Sequence, residues 1–141
     1  MMNSLIVGCL KVGMAVSVAC PEGYRPPQEI LDFAGAYDCF ELTDDPLTAA
    51  KDADVVITDV WTSMGQEEER AAREKAFAGY CVDDRIMAAA KPDAIVQHCL
   101  PAHRGEEITE AVFEANAAPI FDDAENRLHA QKAVMVMLMK D

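Results

Sequence analysis

Residues 94–101 read Ala-Ile-Val-Gln-His-Cys-Leu-Pro, a short apolar run followed at once by polar, chemically versatile side chains. The run predicts a buried strand, so His98 and Cys99 fall where that strand becomes a loop. Pro101 ends the strand because it has no N–H to offer a sheet. Ligands of open α/β sheets bind at the carboxyl ends of the strands. This stretch therefore predicts an α/β fold with a ligand-binding or catalytic site at His98 and Cys99.

A second strand pattern lies upstream, at residues 55–61, and reads Val-Val-Ile-Thr-Asp-Val-Trp. Its β-branched residues make it the clearest strand in the chain, and it places Asp59 at or near a carboxyl end. We expect Asp59, His98 and Cys99 to converge above one edge of a sheet. A carboxylate there can hold an ammonium group, and a thiol beside it can exchange hydrogen bonds with a reacting polar atom.

The rest of the chain alternates helical and strand patterns. Predicted helices span 5–12 (capped by Asn3 and Ser4), 28–34, 46–50, 66–75, 85–90 (capped by Asp83 and Asp84), 106–115 and a final segment capped by Asp122 and Asp123; further strands are predicted at 15–20, 39–43 and 119–121. This order predicts an α/β, Rossmann-like, doubly wound domain with a mostly parallel sheet flanked by helices. No G-x-G-x-x-G segment follows a strand, so nucleotide binding has no direct support.

The composition limits which binding partners and which cellular compartment the sequence favours. The 141 residues suit a single domain, and the formal charge of −13 argues against nucleic acid or an anionic membrane as partner. The five cysteines form no C-x-x-C pair, which favours neither a disulfide framework nor a zinc site. Residues 5–20 superficially resemble a lipoprotein signal, but Lys11 interrupts them and no basic residue precedes them. We therefore expect a cytoplasmic protein.

Taken singly, the candidate residues have ordinary structural explanations. Cys99 and His98 are each more often core residues than catalysts, and the loop at 63–65 is more often a surface turn. Arg127 follows several acidic residues and can pair with them on the surface. A thiol-based redox protein that uses Cys99 has little support, because no resolving cysteine lies nearby in sequence.

Three motifs, taken together and in their order along the chain, are more specific for a protein family than any single residue. They are Asp-Val-Trp-Thr-Ser-Met-Gly at 59–65, His-Cys-Leu-Pro at 98–101 and Glu-Asn-Arg-Leu-His-Ala-Gln-Lys-Ala at 125–133. Together they resemble the carboxyl-terminal, ornithine-binding half of ornithine carbamoyltransferase. The resemblance favours ornithine over aspartate as the amino acid, with putrescine and other amine carbamoyltransferases as nearer competitors. It implies one ornithine-binding domain over residues 1–141, without the amino-terminal carbamoyl-phosphate domain.

The resemblance also implies a role for each site residue. Asp59 would bind the α-amino group of ornithine, with Ser63 beside it and the Met64 backbone at the α-carboxylate. His98 belongs to the same substrate-binding motif. Cys99 would lie near the δ-amino nucleophile, the Leu100 carbonyl would accept from the carbamoyl NH₂, and Arg127 would reach carbamoyl phosphate. Catalytic roles would fall to Asp59, Cys99 and Arg127, and no metal or cofactor would be required.

The differences between this sequence and the family pattern are as informative as the matching motifs. The S-x-R-T-R and H-P-x-Q segments of the phosphate-binding half are absent, and so is the G-D-x-N-N strand. In a sheet of order 3-2-1-4-5 that first strand is central, and its absence would expose the edges of strands 15–20 and 55–60. The final helix, apolar all round at 133–139, would pack toward the missing half in the family.

We therefore hypothesise a fragment or split subunit that is inactive alone. Its partners would be L-ornithine, carbamoyl phosphate and either the missing amino-terminal half or another copy of the chain, giving a homo-oligomer. The alternative is a non-catalytic ornithine- or amine-binding module derived from such an enzyme. Intact Asp59, Ser63, Cys99 and Arg127 do not distinguish the two.

Overall fold

A computed structural model describes residues 1–63, 65 and 67–140. The strands are β1 (Val16–Ala19), β2 (Phe40–Thr43), β3 (Val55–Thr58) and β4 (Ile95–His98). The helices are α1 (Met2–Lys11), α2 (Gln28–Ala34), α3 (Pro46–Ala50), α4 (Arg70–Ala76), α5 (Asp84–Ala89), α6 (Glu110–Ala115) and α7 (Ala117–Met139). Single turns of 3₁₀ helix lie at Glu22–Tyr24 and Glu67–Glu69. Helices and strands alternate, which confirms the predicted α/β class.

The four strands pair in two parallel couples rather than in one continuous sheet. β1 pairs with β2, and β3 pairs with β4 in a register that sets Thr58 opposite His98. Within the described residues, no backbone pairing joins β1 to β3. One edge of β1 and one edge of β3 therefore lack a strand partner, and these are the two edges that the sequence predicted to be exposed.

Each couple of strands is covered by its own apolar cluster. The first cluster buries Ile6, Leu10 and Ala34 against β1 and β2. The second is larger and surrounds β3 and β4; its buried members are Ala50, Val56, Val82, Ile86, Ala90, Val96, Ile108, Val112, Phe113 and Ile120. The side of the molecule with β3 and β4, which also holds the candidate site, thus has the larger core.

Side-chain caps fix several helix starts. Asp83 accepts hydrogen bonds from the backbone N–H groups of Arg85 and Ile86, as predicted for α5. Asp45 caps α3 and Thr109 caps α6 in the same way. The predicted caps of the first helix are wrong, because α1 begins at Met2 and its first turn already contains Asn3 and Ser4.

The predictions for residues 106–123 need the largest correction. The expected strand at 119–121 is instead the first part of α7, where Pro119 is tolerated because the first N–H groups of a helix have no partner within it. Asp122 and Asp123 therefore lie inside the helix and do not cap it. The helix expected at 106–115 begins only at Glu110, because the preceding residues form bridges, including Val82 to Ile108.

The end of α7 extends beyond the core. Its apolar side chains from Val134 to Met139 are all more than half exposed, at 53% to 81%. The sequence predicted that this segment needs burial, and the described part of the chain does not supply it. None of the described helices is long and apolar enough to cross a lipid bilayer.

Candidate functional site

Two side chains meet where β3 and β4 end. Because Thr58 and His98 are paired in register, the next residue of each strand, Asp59 and Cys99, emerges at the same edge. The Cys99 thiol donates a hydrogen bond to Asp59 Oδ1 over 3.0 Å. The same oxygen accepts from the Val60 N–H at 2.8 Å, and the α-ammonium of Met1 lies 3.9 Å from Oδ2. The predicted convergence is therefore correct for Asp59 and Cys99 but wrong for His98, whose side chain is fully buried and faces Glu107 instead.

The carboxylate changes the acidity of the thiol. Partial desolvation, then the hydrogen bond from the thiol to Asp59 and the negative charge of Asp59, raise the pKa of Cys99 to about 11. Cys99 is exposed on one side. The hydrogen bond to Asp59 and the charge of Asp59 both raise its pKa, and a substitution of Asp59 tests these two contributions. At neutral pH the site presents a protonated thiol beside an anionic carboxylate.

Beneath this surface lies a buried imidazole–carboxylate pair. His98 Nε2 lies 2.9 Å from Glu107 Oε1, and both side chains are fully buried. The backbone N–H of His103 donates to the same Glu107 oxygen over 2.6 Å. Burial raises the pKa of Glu107, but the hydrogen bonds from His98 and the His103 backbone outweigh it, and the pKa ends below its ordinary value. Glu107 is therefore an ionised group in the core.

The other nitrogen of His98 orders the loop above it. The Leu100 N–H donates to His98 Nδ1 over 2.9 Å, so Nδ1 is the acceptor and the ring hydrogen lies on Nε2, facing Glu107. Leu100 has φ = 54°, in the left-handed region that favours glycine, and this hydrogen bond helps to hold it there. Both ring nitrogens of His98 are thus engaged, and direct contact with a ligand would require one bond to break.

A small polar cluster surrounds Glu107. Potential ligand atoms of His103, Glu106 and Glu107 all lie within 4.8 Å of one another. However, Glu106 pairs with Arg70, and one oxygen of Glu107 is already shared by two donors. Ion pairing and loop support account for this cluster, and we assign no metal to it. His103 Nδ1 and Glu107 Oε2 are buried without a protein partner in the described chain.

Of the remaining predicted site residues, the structure describes Ser63 and Arg127. Ser63 is exposed on the loop after β3, and Met64 lies outside the described residues. Arg127 is exposed on α7, and among the described groups no hydrogen bond or ion pair joins it to Asp59 or Cys99. Among the described residues, no ion pair joins Arg127 to the acids near it, and Glu125 faces His129 over 3.2 Å.

Glu107 was not singled out from the sequence. The pattern placed it at the start of a helix, where an acidic residue has an ordinary favourable interaction with the helix dipole. Its true environment depends on contact with His98 across a loop, and sequence periodicity contains no signal for that contact. The adjacent pair Glu106-Glu107 after a glycine was the available hint.

Parallel strands flanked by helices, with polar side chains gathered at their carboxyl ends, define a ligand-binding domain of the doubly wound α/β class. A family model described as "Aspartate/ornithine carbamoyltransferase, Asp/Orn binding domain" matches residues 1–138. The chain therefore belongs to the aspartate/ornithine carbamoyltransferase family and corresponds to its Asp/Orn-binding domain.

Individual relatives agree with this assignment. The chain is 53% identical over 142 aligned residues to an ornithine carbamoyltransferase of Geobacter metallireducens, covering 99% of this chain and 47% of the relative. An anabolic ornithine carbamoyltransferase structure from Campylobacter jejuni superposes with a TM-score of 0.93 at 41% identity, covering 98% of this chain and 47% of that one. The structure of an ornithine carbamoyltransferase from Pyrococcus furiosus superposes with a TM-score of 0.84 at 48% identity. That match covers 95% of this chain and 44% of the Pyrococcus chain. The chain thus spans about half the length of the relatives it matches.

Proposed function

We propose that this chain supplies the ornithine-binding half of an ornithine carbamoyltransferase, which forms L-citrulline and phosphate from carbamoyl phosphate and L-ornithine. One observation supports the proposal above all: the 3.0 Å contact between Cys99 and Asp59 at adjoining strand ends, in a chain of this family. The curated relatives named above are ornithine carbamoyltransferases, which favours ornithine over aspartate as the amino acid.

In this proposal the loop after β3 binds the amino-acid end of ornithine. Asp59 receives the α-ammonium in a charge-assisted hydrogen bond. Ser63 lies beside it, and the Met64 backbone meets the α-carboxylate. His98 takes part in substrate binding by holding the Leu100 backbone, whose carbonyl accepts from the carbamoyl NH₂.

The reaction needs the δ-amine of ornithine in its neutral form. A free alkylamine has a pKa of about 10.4, so at neutral pH the protonated form is favoured by roughly three pH units. A thiolate beside the amine would strengthen that preference, whereas the protonated Cys99 thiol adds no negative charge. The nitrogen lone pair attacks the carbamoyl carbon, the carbon–oxygen bond to phosphate breaks, and the amine loses its proton to the departing phosphate or to water.

The phosphate end of the reaction requires further groups. Arg127 is exposed on α7, and we propose that it reaches carbamoyl phosphate once α7 is covered by the carbamoyl-phosphate-binding half. The same half would contribute a strand between β1 and β3. Two features support this partner over a second copy of the chain: the chain matches 47% of its Geobacter relative, and the exposed apolar segment lies on the helix that bears Arg127. We propose that the assembled enzyme is a cytoplasmic homo-oligomer and that this chain alone does not turn over.

The test is a citrulline assay. The chain alone is mixed with both substrates, and in parallel with the separately produced amino-terminal half of the Geobacter relative. We expect citrulline only from the mixture, and a loss of at least about 100-fold on Asp59→Asn. The control is Asp54→Asn, because Asp54 is exposed and, among the described residues, its ion pair is with Lys91.

Three results would contradict parts of the proposal. Turnover by the chain alone would remove the need for a second half. An assembled enzyme that is insensitive to Asp59→Asn would remove the assigned site. Calorimetric binding of ornithine without turnover in any assembly would favour the non-catalytic module.

A further inference from the structure

The loop that follows β3 is held at its midpoint from outside the site. Trp61 lies between Asp59 and Ser63, and its backbone carbonyl accepts a hydrogen bond from Arg73 NH1 over 3.2 Å. Arg73 belongs to α4, a separate element. Among the described contacts it touches neither Asp59 nor Cys99, so any influence on the site passes through the loop backbone.

The guanidinium of Arg73 has three kinds of partner at once. Its Nε and NH2 groups face Glu69 Oε2 at 3.0 Å and 2.8 Å, and its central carbon lies 5.1 Å from the centre of the Tyr24 ring. The side chain is only 17% exposed. A planar fork of donors can satisfy a carboxylate, a carbonyl and an aromatic face together, and the point charge of lysine cannot. This environment is specific for arginine.

The Trp61 side chain is fixed by the same part of the molecule. Its ring stacks on Phe77, with centroids 5.9 Å apart and planes 19° from parallel. Phe77 also contacts Tyr24 at 4.9 Å, the ring on which Arg73 rests. The helix and its C-cap residue therefore hold Trp61 by its carbonyl through Arg73 and by its ring through Phe77. Such double support restricts the backbone between Asp59 and Ser63.

We propose that Arg73 is a positioning residue for the amino-acid substrate: it holds the 59–63 loop in the arrangement that binds ornithine. This inference rests on the proposed function. The loop meets the amino acid and not the phosphate, so losing Arg73 weakens the use of ornithine and leaves the use of carbamoyl phosphate nearly unchanged. The Glu69 and Arg73 pair has the i, i+4 spacing of an ordinary ion pair on a helix surface, and this proposal gives it a functional role as well.

The kinetic test uses the assembled enzyme with Arg73→Gln and Arg73→Lys. We expect the KM for ornithine to rise about tenfold in both, with the KM for carbamoyl phosphate changed less than about twofold. Lysine keeps the charge and fails to rescue, because it lacks the fork. The matched control is Arg70→Gln, since Arg70 lies on the same helix but pairs with Glu74 and Glu106.

A second readout does not depend on activity. Trp61 is the only tryptophan in the 141-residue chain, so the fluorescence of this chain reports the loop directly. We expect acrylamide to quench Trp61 more strongly in Arg73→Gln and to the wild-type extent in Arg70→Gln. Glu69→Gln keeps Arg73 but loosens it, and should shift both readouts in the same direction by a smaller amount.

The outcomes separate this inference from the proposed function. If the Arg73 variants match Arg70→Gln in ornithine KM, or raise both KM values equally, the positioning role is wrong. Unchanged quenching of Trp61 also overturns it. If the wild-type assembly forms no citrulline, the proposed function fails, while the quenching comparison still decides whether Arg73 holds the loop.

Discussion

At the scale of single residues, the Cys99 thiol is a hydrogen-bond donor and not a nucleophile. A thiolate is the reactive form of cysteine, and a pKa of about 11 leaves very little of it at neutral pH. Exposure alone would suggest a reactive residue, but the carboxylate of Asp59 opposes ionisation. This argues against a redox role for Cys99 and agrees with its proposed place beside a neutral amine.

Asp59→Asn should make Cys99 more reactive. The amide removes the negative charge next to the thiol, so the pKa of Cys99 falls and alkylation by iodoacetamide begins at lower pH. Peptide mass spectrometry across a pH series measures this for each cysteine separately. Exposed Cys39 serves as the internal control, and identical Cys99 profiles in the two proteins would contradict the assigned contact.

Glu107→Gln should destabilise the protein although it changes one atom. The ionised carboxylate accepts from His98 and from the His103 backbone inside the core, and a neutral amide accepts these bonds more weakly. We expect the free energy of unfolding at pH 7 to fall by about 2 kcal/mol, measured by urea denaturation. Glu106→Gln is the control, because its pair with Arg70 is partly exposed and contributes less to stability.

The stability difference between wild type and Glu107→Gln should depend on pH. The pKa of Glu107 is lower in the folded protein than its ordinary value of 4.5, so its contribution is complete above that pH and is lost as pH falls through the folded value. The stability gap between wild type and Glu107→Gln should therefore narrow on acidification below about pH 4.5. A gap that stays constant down to the acid transition would show that Glu107 is not held ionised.

The positions of single residues could be predicted where the fold class itself fixes the geometry. Asp59 and Cys99 could be placed together because neighbouring parallel strands end at one edge. Glu107 and Arg73 could not, because their partners lie on other loops and helices. A carboxylate in a buried pair and one on a solvated surface look the same in a sequence.

At the scale of elements, the ends of a helix could be predicted where a proline, a glycine or an acidic cap residue marks them in the sequence. The helix at 28–34 was predicted with its observed bounds because Pro27 precedes it and Gly35 follows it. The same rule failed at Pro119, which was assigned to a short strand at 119–121 although it lies in the first turn of a helix. Tertiary contact of Ile120 with the core settles that segment, and periodicity alone did not.

Asp83→Ala tests one of these caps. Asp83 accepts from two backbone N–H groups at the start of α5, and the loss should lower the free energy of unfolding by about 1 kcal/mol. Asp84→Ala is the matched control, because Asp84 is exposed in the first turn and caps nothing. Thermal unfolding followed by circular dichroism measures both, and equal shifts would contradict the cap.

At the scale of the whole molecule, the exposed end of α7 should control association. Six consecutive apolar residues from Val134 to Met139 present a continuous surface, which in water favours contact with another chain. For the chain alone we expect concentration-dependent association in light scattering, reduced by Leu138→Glu. Adding the carbamoyl-phosphate half should replace self-association by a defined complex. A strictly monomeric mass at all concentrations would contradict this expectation.

The two separate cores have a consequence for cooperativity. Among the described residues, the apolar cluster against β1 and β2 has three buried members, and the cluster around β3 and β4 has ten. Opening the smaller unit exposes less apolar surface and so requires less free energy. Amides near Ile6 and Ala34 should then exchange with deuterium before those near Val96 and Ile108. The chain would behave as two unequal folding units, and β3 and β4, which carry the proposed ornithine site, would belong to the unit that opens last.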